Sequence, residues 1–354
     1  MSRLNELKLN DTCLAELSNL PGVSGDEGAV RRYIKEKLAP VCDEIIVDTM
    51  GNLFAHKKKE GRPIVALTAH MDEVGMLITK IRDDGELEYD HAGLDCRVMP
   101  GRRVRVGKDG VPGVIGTKPI HLQSDEDYES SVPHKDLTID IGAKDKDDAA
   151  KYVSVGDYAC FTTKFSEFGE GLMCGKALDD RVGCTALMEL IKEDFDCDLW
   201  ACFTVQEEAG LRGANLVADR VKPDIVLNFE GTTANDMPDA KGHETVTTVG
   251  RGPAITFMDG GTVVRPAMFD ALREAAKAEG IPFQLRRGTN GRTDIGRIHP
   301  DMGGCLAGGI SVPCRYIHSA MSVASQEDLI DAIRLGGAFL KTDLTKLIKR
   351  GNEI

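Results

Sequence analysis

The stretch Leu199-Trp200-Ala201-Cys202-Phe203 is an unbroken apolar run of strand length, and it delivers two adjacent acids, Glu207 and Glu208. Two other runs behave alike. Pro63-Ile64-Val65-Ala66-Leu67-Thr68-Ala69 ends in His70-Met71-Asp72-Glu73, and Pro223-Asp224-Ile225-Val226-Leu227-Asn228-Phe229 delivers Glu230. Continuous apolar runs suit strands covered on both faces, as in a parallel sheet packed between helices. Ligands of such sheets collect in the crevice beyond the strands' carboxyl ends. Neighbouring residues of an extended chain point to opposite sides, so Glu207 and Glu208 are expected to do different jobs if both reach a site.

The rest of the chain reads as α/β with a change of texture in the middle. Residues 11–20 form a first helix with Leu14 and Leu17 on one face, broken by Pro21-Gly22. Ser24-Gly25-Asp26-Glu27 matches a capping box with Ser24 as N-cap, ahead of a helix whose stripe is Val30, Tyr33, Ile34 and Leu38. Residues 44–47 and 53–57 make a hairpin around Met50-Gly51-Asn52. From Val74 to about Phe165, short strand-like runs alternate with turn signals such as Asp83-Asp84-Gly85 and Lys108-Asp109-Gly110, with one helical piece near 146–152. This is an all-β module inserted into an α/β domain. Within it, residues 121–135 are polar, acidic and aperiodic, which predicts a long mobile loop. Helical texture returns at Asp179, with Val182, Ala186, Leu187, Leu190 and Ile191 as its apolar stripe. Pro266 opens a helix closed by Gly280, residues 281–285 can be a strand, and Ser325 with Asp328 forms a second capping box before a long C-terminal helix. Gly303-Gly304 and Gly308-Gly309 lack the strand-turn-helix context of a phosphate-binding loop and are assigned to turns.

Composition narrows the function classes. With 42% hydrophobic residues in 354, the chain can bury a full core, and its net charge of -13 lacks the basic footprint of a nucleic-acid binder. None of the ten cysteines forms a CxxC pair, and several lie in apolar runs. That argues against a structural zinc site built on that motif and suits a reduced, cytoplasmic protein. Residues 1–10 are polar, unlike a signal peptide, and no apolar run approaches the roughly 20 residues a membrane span needs. No membrane or nucleic-acid partner is expected.

Potential ligands therefore stand at the ends of strands or the start of a helix: His70 with Asp72, Asp179 with Asp180, Glu207 with Glu208, Glu230, and His318. Each alone has an ordinary explanation, since acids at a helix start complement its dipole and exposed carboxylates are common. Jointly, a set made only of His, Asp and Glu suits zinc or another borderline divalent ion. The excess of carboxylates suits two ions, because one carboxylate can bridge them. Arg286, Arg287 and Arg292 surround Gly288-Thr289-Asn290-Gly291 and read as a solvated basic loop, with contact to an acidic substrate side chain as the alternative.

Four segments carry a resemblance. Thr68-Ala69-His70-Met71-Asp72-Glu73-Val74-Gly75, Gly175-Lys176-Ala177-Leu178-Asp179-Asp180-Arg181, Val205-Gln206-Glu207-Glu208-Ala209-Gly210-Leu211-Arg212-Gly213-Ala214 and Arg315-Tyr316-Ile317-His318-Ser319 resemble, in order, the motifs of the di-metal aminopeptidases of the tetrahedral (TET) and glutamyl aminopeptidase family. Pro119-Ile120-His121-Leu122 and Asp140-Ile141-Gly142-Ala143 resemble the signature of that family's insertion. The resemblance implies a mixed-sheet α/β metallopeptidase (phosphorylase/hydrolase-like) catalytic domain, residues 1–73 and 166–354, with an inserted small all-β dimerisation domain, residues 74–165.

It also implies two divalent ions per subunit, zinc first, with cobalt or manganese as alternatives. His70 and Glu230 would hold one ion, Glu208 and His318 the other, and Asp179 both. Asp180 would be a neighbour and not a ligand, Asp72 would orient His70, and Glu207 would be the general base. Partners would be short peptide substrates and further copies of the chain, with dimers assembling to a dodecamer. Two departures stand out. Glu230 falls where most members carry Asp, and Ser319-Ala320-Met321-Ser322 replaces the usual Ser-Pro-x-Glu. The rival functions are a glycoside hydrolase using paired carboxylates (some relatives are labelled endoglucanases), a metal-dependent N-acyl deacylase, and a non-enzymatic peptide-binding assembly. The glycosidase would leave His70 and His318 idle, and aromatic content of 5% leaves little for stacking sugars.

Overall fold

The three apolar runs that deliver His or acids become neighbouring parallel strands. The structure, a computed structural model, describes residues 3–125 and 129–352. Among these, the strands in chain order are β1 (Glu44–Val47), β2 (Leu53–Lys57), β3 (Ile64–His70), β4 (Gly75–Ile81), β5 (Leu87–Ala92), β6 (Arg103–Val106), β7 (Val111–Gly116), β8 (Thr138–Asp140) and β9 (Tyr158–Phe161). They continue with β10 (Ser166–Phe168), β11 (Leu172–Gly175), β12 (Asp198–Thr204), β13 (Ile225–Thr233), β14 (Ala254–Thr256), β15 (Gln284–Leu285), β16 (Leu306–Arg315) and β17 (Ser322–Ser325).

One mixed sheet of 11 strands runs β1-β2-β12-β3-β13-β16-β17-β11-β10, with β14 and β15 branching from β16. Its centre, β12-β3-β13-β16, is parallel, with antiparallel strands outside. The period of two sorts the side chains. Val65, Leu67 and Ala69 of β3 enter the larger core with Leu199, Ala201 and Phe203 of β12 and Ile225, Leu227 and Phe229 of β13. Ala66, Cys202 and Val226 enter a smaller core on the other face. Thr68, His70, Thr204, Asn228 and Glu230 continue the register of that second set, so apolar packing gives way to polar groups at one end of the sheet.

The helix Leu178–Leu190 lies against β3 and β13 and is covered in turn by the helices Leu14–Asn19 and Gln326–Leu340. The expected one-sided stripe is too narrow a description. Arg181, Cys184, Thr185, Met188 and Glu189 are buried as well, because neighbours pack on every side. A Cβ on Gly183 would stand 2.6 Å from the carbonyl of Phe229, which is how closely this helix meets β13.

Strands β4 to β9 form a closed six-strand barrel, order β4-β5-β8-β7-β6-β9, around its own apolar cluster. The all-β texture was legible, but closure was not, since closure depends on β4 meeting β9 across the length of the segment. Of the expected loop 121–135, residues 126–128 lie outside the described residues; the rest carries short helical turns at Ile120–Leu122 and His134–Asp136.

Both capping boxes resolve differently. The helix Gly28–Leu38 begins after Glu27 with no side-chain cap, because the Ser24 hydroxyl donates instead to Asp72 Oδ2 at 2.6 Å. Ser325 does cap Gln326–Leu340, but the Asp328 carboxylate turns away to accept the Gly250 and Gly252 N–H groups, each at 2.7 Å. Gly308 and Gly309 lie inside β16 and not in a turn; a Cβ on Gly308 would meet Met268 and Leu272. The strand at 281–285 shrinks to Gln284–Leu285, and all ten cysteines are free thiols.

Candidate metal centre

Parallel β12, β3, β13 and β16 deliver their polar residues to one cavity of about 620 Å³, lined by Asp179, Glu207, Glu208, Glu230 and His318. His70 closes β3, paired in register with Thr204 of β12. Glu230 lies within β13 and not at its end, but β3 stops pairing with β13 at Asn228, so the flank beside Glu230 is open. Asn228, two residues back on the same face, donates to Glu230 Oε2 at 2.7 Å and accepts from Thr68 at 2.7 Å. Glu207 and Glu208 follow β12, and their N–H groups donate to the two carboxylate oxygens of Asp72 at 3.0 and 3.1 Å. Asp179 comes from the first turn of the buried helix, where it and Asp180 have non-helical backbone angles. His318 follows β16 in a left-handed conformation, φ 60°.

Six candidate residues converge with Asp72 behind them. Ligand atoms of His70, Asp179 and Glu230 lie within 4.8 Å of one another, and so do those of Asp179, Glu208 and His318. The extra methylene of Glu230 therefore does not carry it out of reach. His70 Nδ1 lies 3.1 Å from the Asp72 carbonyl, which can only accept, so Nδ1 carries a proton and Nε2 is the nitrogen that faces Asp179, at 3.4 Å. The Asp72 carboxylate is farther from that ring nitrogen, at 3.5 Å, and its stronger contacts hold Ser24, Glu207 and Glu208. His318 repeats the arrangement: Nδ1 donates to the Gly93 carbonyl at 2.9 Å, and Nε2 faces Glu208 at 3.5 Å and Asp179 at 4.0 Å. Asp180 accepts the His70 and Gly183 N–H groups and belongs to neither triad. Glu73 turns away to a buried pair with Lys176.

The electrostatics fit divalent cations. Asp179 Oδ1 is buried without a hydrogen-bond partner, and among the described residues none of Asp179, Glu207, Glu208 and Glu230 forms an ion pair with a lysine or arginine. Left to protein charges, burial pushes Glu207 well above the usual carboxylate range, with Asp294, Glu208 and Asp72 adding to the shift against His70. Burial and Asp179 push Glu208 up to about 8. Burial and the charges of Glu207 and Asp179 raise Glu230 strongly. Burial works against the cationic form of His70, but its contacts with Asp179 and Asp72 outweigh that and raise it well above its ordinary value. Such a concentration of carboxylates stays ionised only beside positive charge, and its imidazole nitrogens and carboxylate oxygens are the donors of zinc-like ions.

Several contributors escaped the sequence. Asp294 is buried, donated to by Thr204, and raised to about 6 by burial; nothing in Arg292-Thr293-Asp294 announces it. Asn228 could have been found, because it shares the face of Glu230 at a spacing of two. Arg286 and Arg292 are not simply a solvated loop: both line the cavity, and Arg286 reaches Thr232 Oγ1 at 3.0 Å and the carbonyls of Gly288 and Asn290 at 2.5 and 2.7 Å. Arg287 does point outward, as that reading expects, and lies 3.5 Å from the Gly242 carbonyl.

Comparison with known proteins bears on the same cavity. A family model described as M42 glutamyl aminopeptidase matches residues 51–335. The chain is 39% identical over 328 residues to a putative aminopeptidase of Acetivibrio thermocellus, covering 91% of this chain and 96% of that protein. Its fold is similar to an aminopeptidase of the archaeon Desulfurococcus kamchatkensis, with TM-score 0.92, 34% identity, and 96% and 97% of the two chains covered. It is also similar to the TET1 peptidase of Pyrococcus horikoshii, described as assembling into a tetrahedron or a large octahedral shell, with TM-score 0.83, 32% identity, and 93% and 98% covered.

Proposed function

The chain belongs to the M42 glutamyl aminopeptidase family and is a metal-dependent aminopeptidase, and from that premise we propose how its cavity releases the first residue of a short peptide. His70, Asp179 and Glu230 would hold one divalent ion, and Asp179, Glu208 and His318 a second; zinc is the first choice, cobalt or manganese the alternatives. Bound there, the ions would acidify a water and polarise the scissile carbonyl. Glu207 takes the proton of the attacking water on its carboxylate and passes it to the leaving amine. Its burial among other acids supports that role, because it opposes the loss of basicity that nearby cations impose. Asp72 positions the pair, accepting both Glu207 and Glu208 N–H groups while its carbonyl sets the His70 tautomer. The observation that carries the reading is the pair of triads sharing Asp179, with Glu207 lining the same cavity but outside both. Neither the glycosidase nor the other rivals is favoured.

Arg286 and Arg292 support an acidic first residue as the preferred substrate. Arg286 is held by neutral acceptors only, and among the described residues neither arginine has a carboxylate partner, although both line the cavity. A panel of aminoacyl substrates, assayed after loading with each metal, tests this. Arg292→Ala should lower kcat/KM for glutamyl and aspartyl substrates about 10-fold more than for neutral ones, one charge-assisted contact being worth about 1.5–3 kcal/mol. Equal losses on all substrates would remove the assignment.

We further assign the barrel, within residues 74–165, as an inserted dimerisation domain between the two halves of a catalytic domain, and the assembled form as a dodecamer built from dimers, in the cytoplasm. Support comes from the shells described for the Pyrococcus relative. Light scattering of the purified protein checks the assembly. No helix of the described residues is long and apolar enough to cross a membrane.

A further inference from the structure

The barrel's own loop reaches the second triad. β5 ends at Ala92, and the following Gly93 places its carbonyl 2.9 Å from His318 Nδ1. Asp95 N–H returns to the His318 carbonyl at 3.4 Å. Leu94, between them, belongs to the barrel's apolar cluster, and so does Ala320, two residues beyond His318. The loop carrying His318 is thus tied to the barrel at His318 itself and at Ala320, while Ile317 before it packs on the main core. Gly93 also leaves no room beside Glu208, another member of this triad. A Cβ there would stand 3.0 Å from His318 Nδ1 and 3.2 Å from Glu208 Oε2, and its φ of +68° already disfavours other residues.

The loop is itself braced. His134 Nε2 lies 2.9 Å from the Leu94 carbonyl, an acceptor, so this nitrogen carries the proton and donates. Its Nδ1 faces the Tyr89 hydroxyl at 3.4 Å. The ring stacks on His91, centroids 3.7 Å apart at 26°, and His91 Nδ1 accepts the Leu94 N–H at 3.4 Å. Tyr89 and His91 belong to β5, while His134 comes from the far side of the barrel's long connection. Together they grip the Leu94 backbone by its carbonyl and its amide.

We propose that this barrel loop, with Gly93 as contact and His134 as brace, is a positioning device for the second metal ion alone, resting on the di-metal reading above. The first triad needs no such help, because His70 and Glu230 stand on adjacent strands and take their partners from Asp72 and Asn228. The barrel thereby completes a metal site on a sheet it does not belong to.

The test counts metal as well as activity. Full-length wild type, His134→Phe, His134→Gln and Gly93→Ala are titrated with cobalt(II), following stepwise visible absorption, and the bound ions are counted by mass spectrometry. Wild type should bind two ions per chain. His134→Phe and Gly93→Ala should keep the first ion at wild-type affinity and weaken the second by about 10–100-fold, the usual cost of losing an outer partner. His134→Gln, whose amide can still donate to the Leu94 carbonyl, should recover most of that loss. Thermal melting checks folding; if His134→Phe melts early, Tyr89→Phe gives a gentler loss in the same direction. Equal weakening of both ions, unchanged binding of the second, or no recovery in His134→Gln overturns the proposal. A wild type that takes up fewer than two ions overturns the di-metal reading itself, which the variants cannot mimic.

Discussion

His70 and Glu230 stand on adjacent parallel strands, whereas His318 stands in a left-handed turn beyond β16, with its ring held by a carbonyl of the barrel. The His70 side chain is 2% exposed and that of His318 is 41% exposed. The two triads share Asp179, yet one is built from sheet register and the other from a junction between two separately packed cores. Sheet register is locked by a ladder of backbone hydrogen bonds, so a one-residue slip would misplace every side chain of the strand. A junction is held by a few contacts, which can change without unfolding either core. The same chemistry is therefore expected to respond differently to perturbation on its two sides.

Removing the shared member should erase the difference. Asp179→Asn takes away the only carboxylate common to both triads, so both ions and all measurable turnover should be lost, by metal count and peptide assay. His318→Ala should instead lose only the second ion. If it lost both, the two halves would not be separable. Glu207→Gln sits outside the comparison and calibrates it: kcat should fall by about 10²–10⁴-fold, the range for general acid–base catalysis, while both ions stay bound. Near-normal rates in Glu207→Gln would remove it as the base.

Smaller effects probe each side separately. Glu230→Asp shortens the arm by one methylene and withdraws it from Asn228, whose amide donates at 2.7 Å. The first ion should weaken by about 10-fold, the low end for one hydrogen bond to a charged group, and the second should be unchanged. The barrel side should show the weaker, pH-dependent response. Burial and the charge of His134 hold His91 below its ordinary value, with Asp90 opposing. A depressed histidine contributes stability that is present above its unfolded value and lost as pH falls through the folded one. Protection factors for hydrogen exchange at residues 91–95, taken against the intrinsic rate at each pH, should therefore fall as pH drops below the ordinary histidine range of about 6.5. His91→Phe should flatten that dependence, and a flat wild-type profile would disconnect the stack from the loop.

Much of this organisation was readable in single segments. The runs ending in His70, Glu207-Glu208 and Glu230 specify buried strands because unbroken β-branched and aliphatic residues can be covered on both faces. The polar residues at their ends then have nowhere to go but the crevice. The helix after Asp179 and the change to all-β texture at Val74 were equally local. What failed were readings in which a polar side chain had two partners to choose from. Ser24 and Asp328 carry capping spacing, but Asp72 and the Gly250–Gly252 turn compete for them and win in the folded chain. The arginines at 286 and 292 read as solvated because their cavity exists only after β13, β16 and their own loop have come together.

Taken alone, the sequence determined part of the inventory: the central buried strands, which of them end in potential ligands, and the resemblance to a di-metal peptidase. Side-chain type and period act over a few residues, so a linear reading captures them. Only the tertiary structure decided that β3 pairs with β12 and β13, that Asp294 meets Thr204 and Asn228 meets Glu230 behind the cavity, and that Gly93 of the barrel holds His318. Those outcomes depend on contacts between residues tens to hundreds of positions apart, where packing of whole layers, and no local preference, sets the distance.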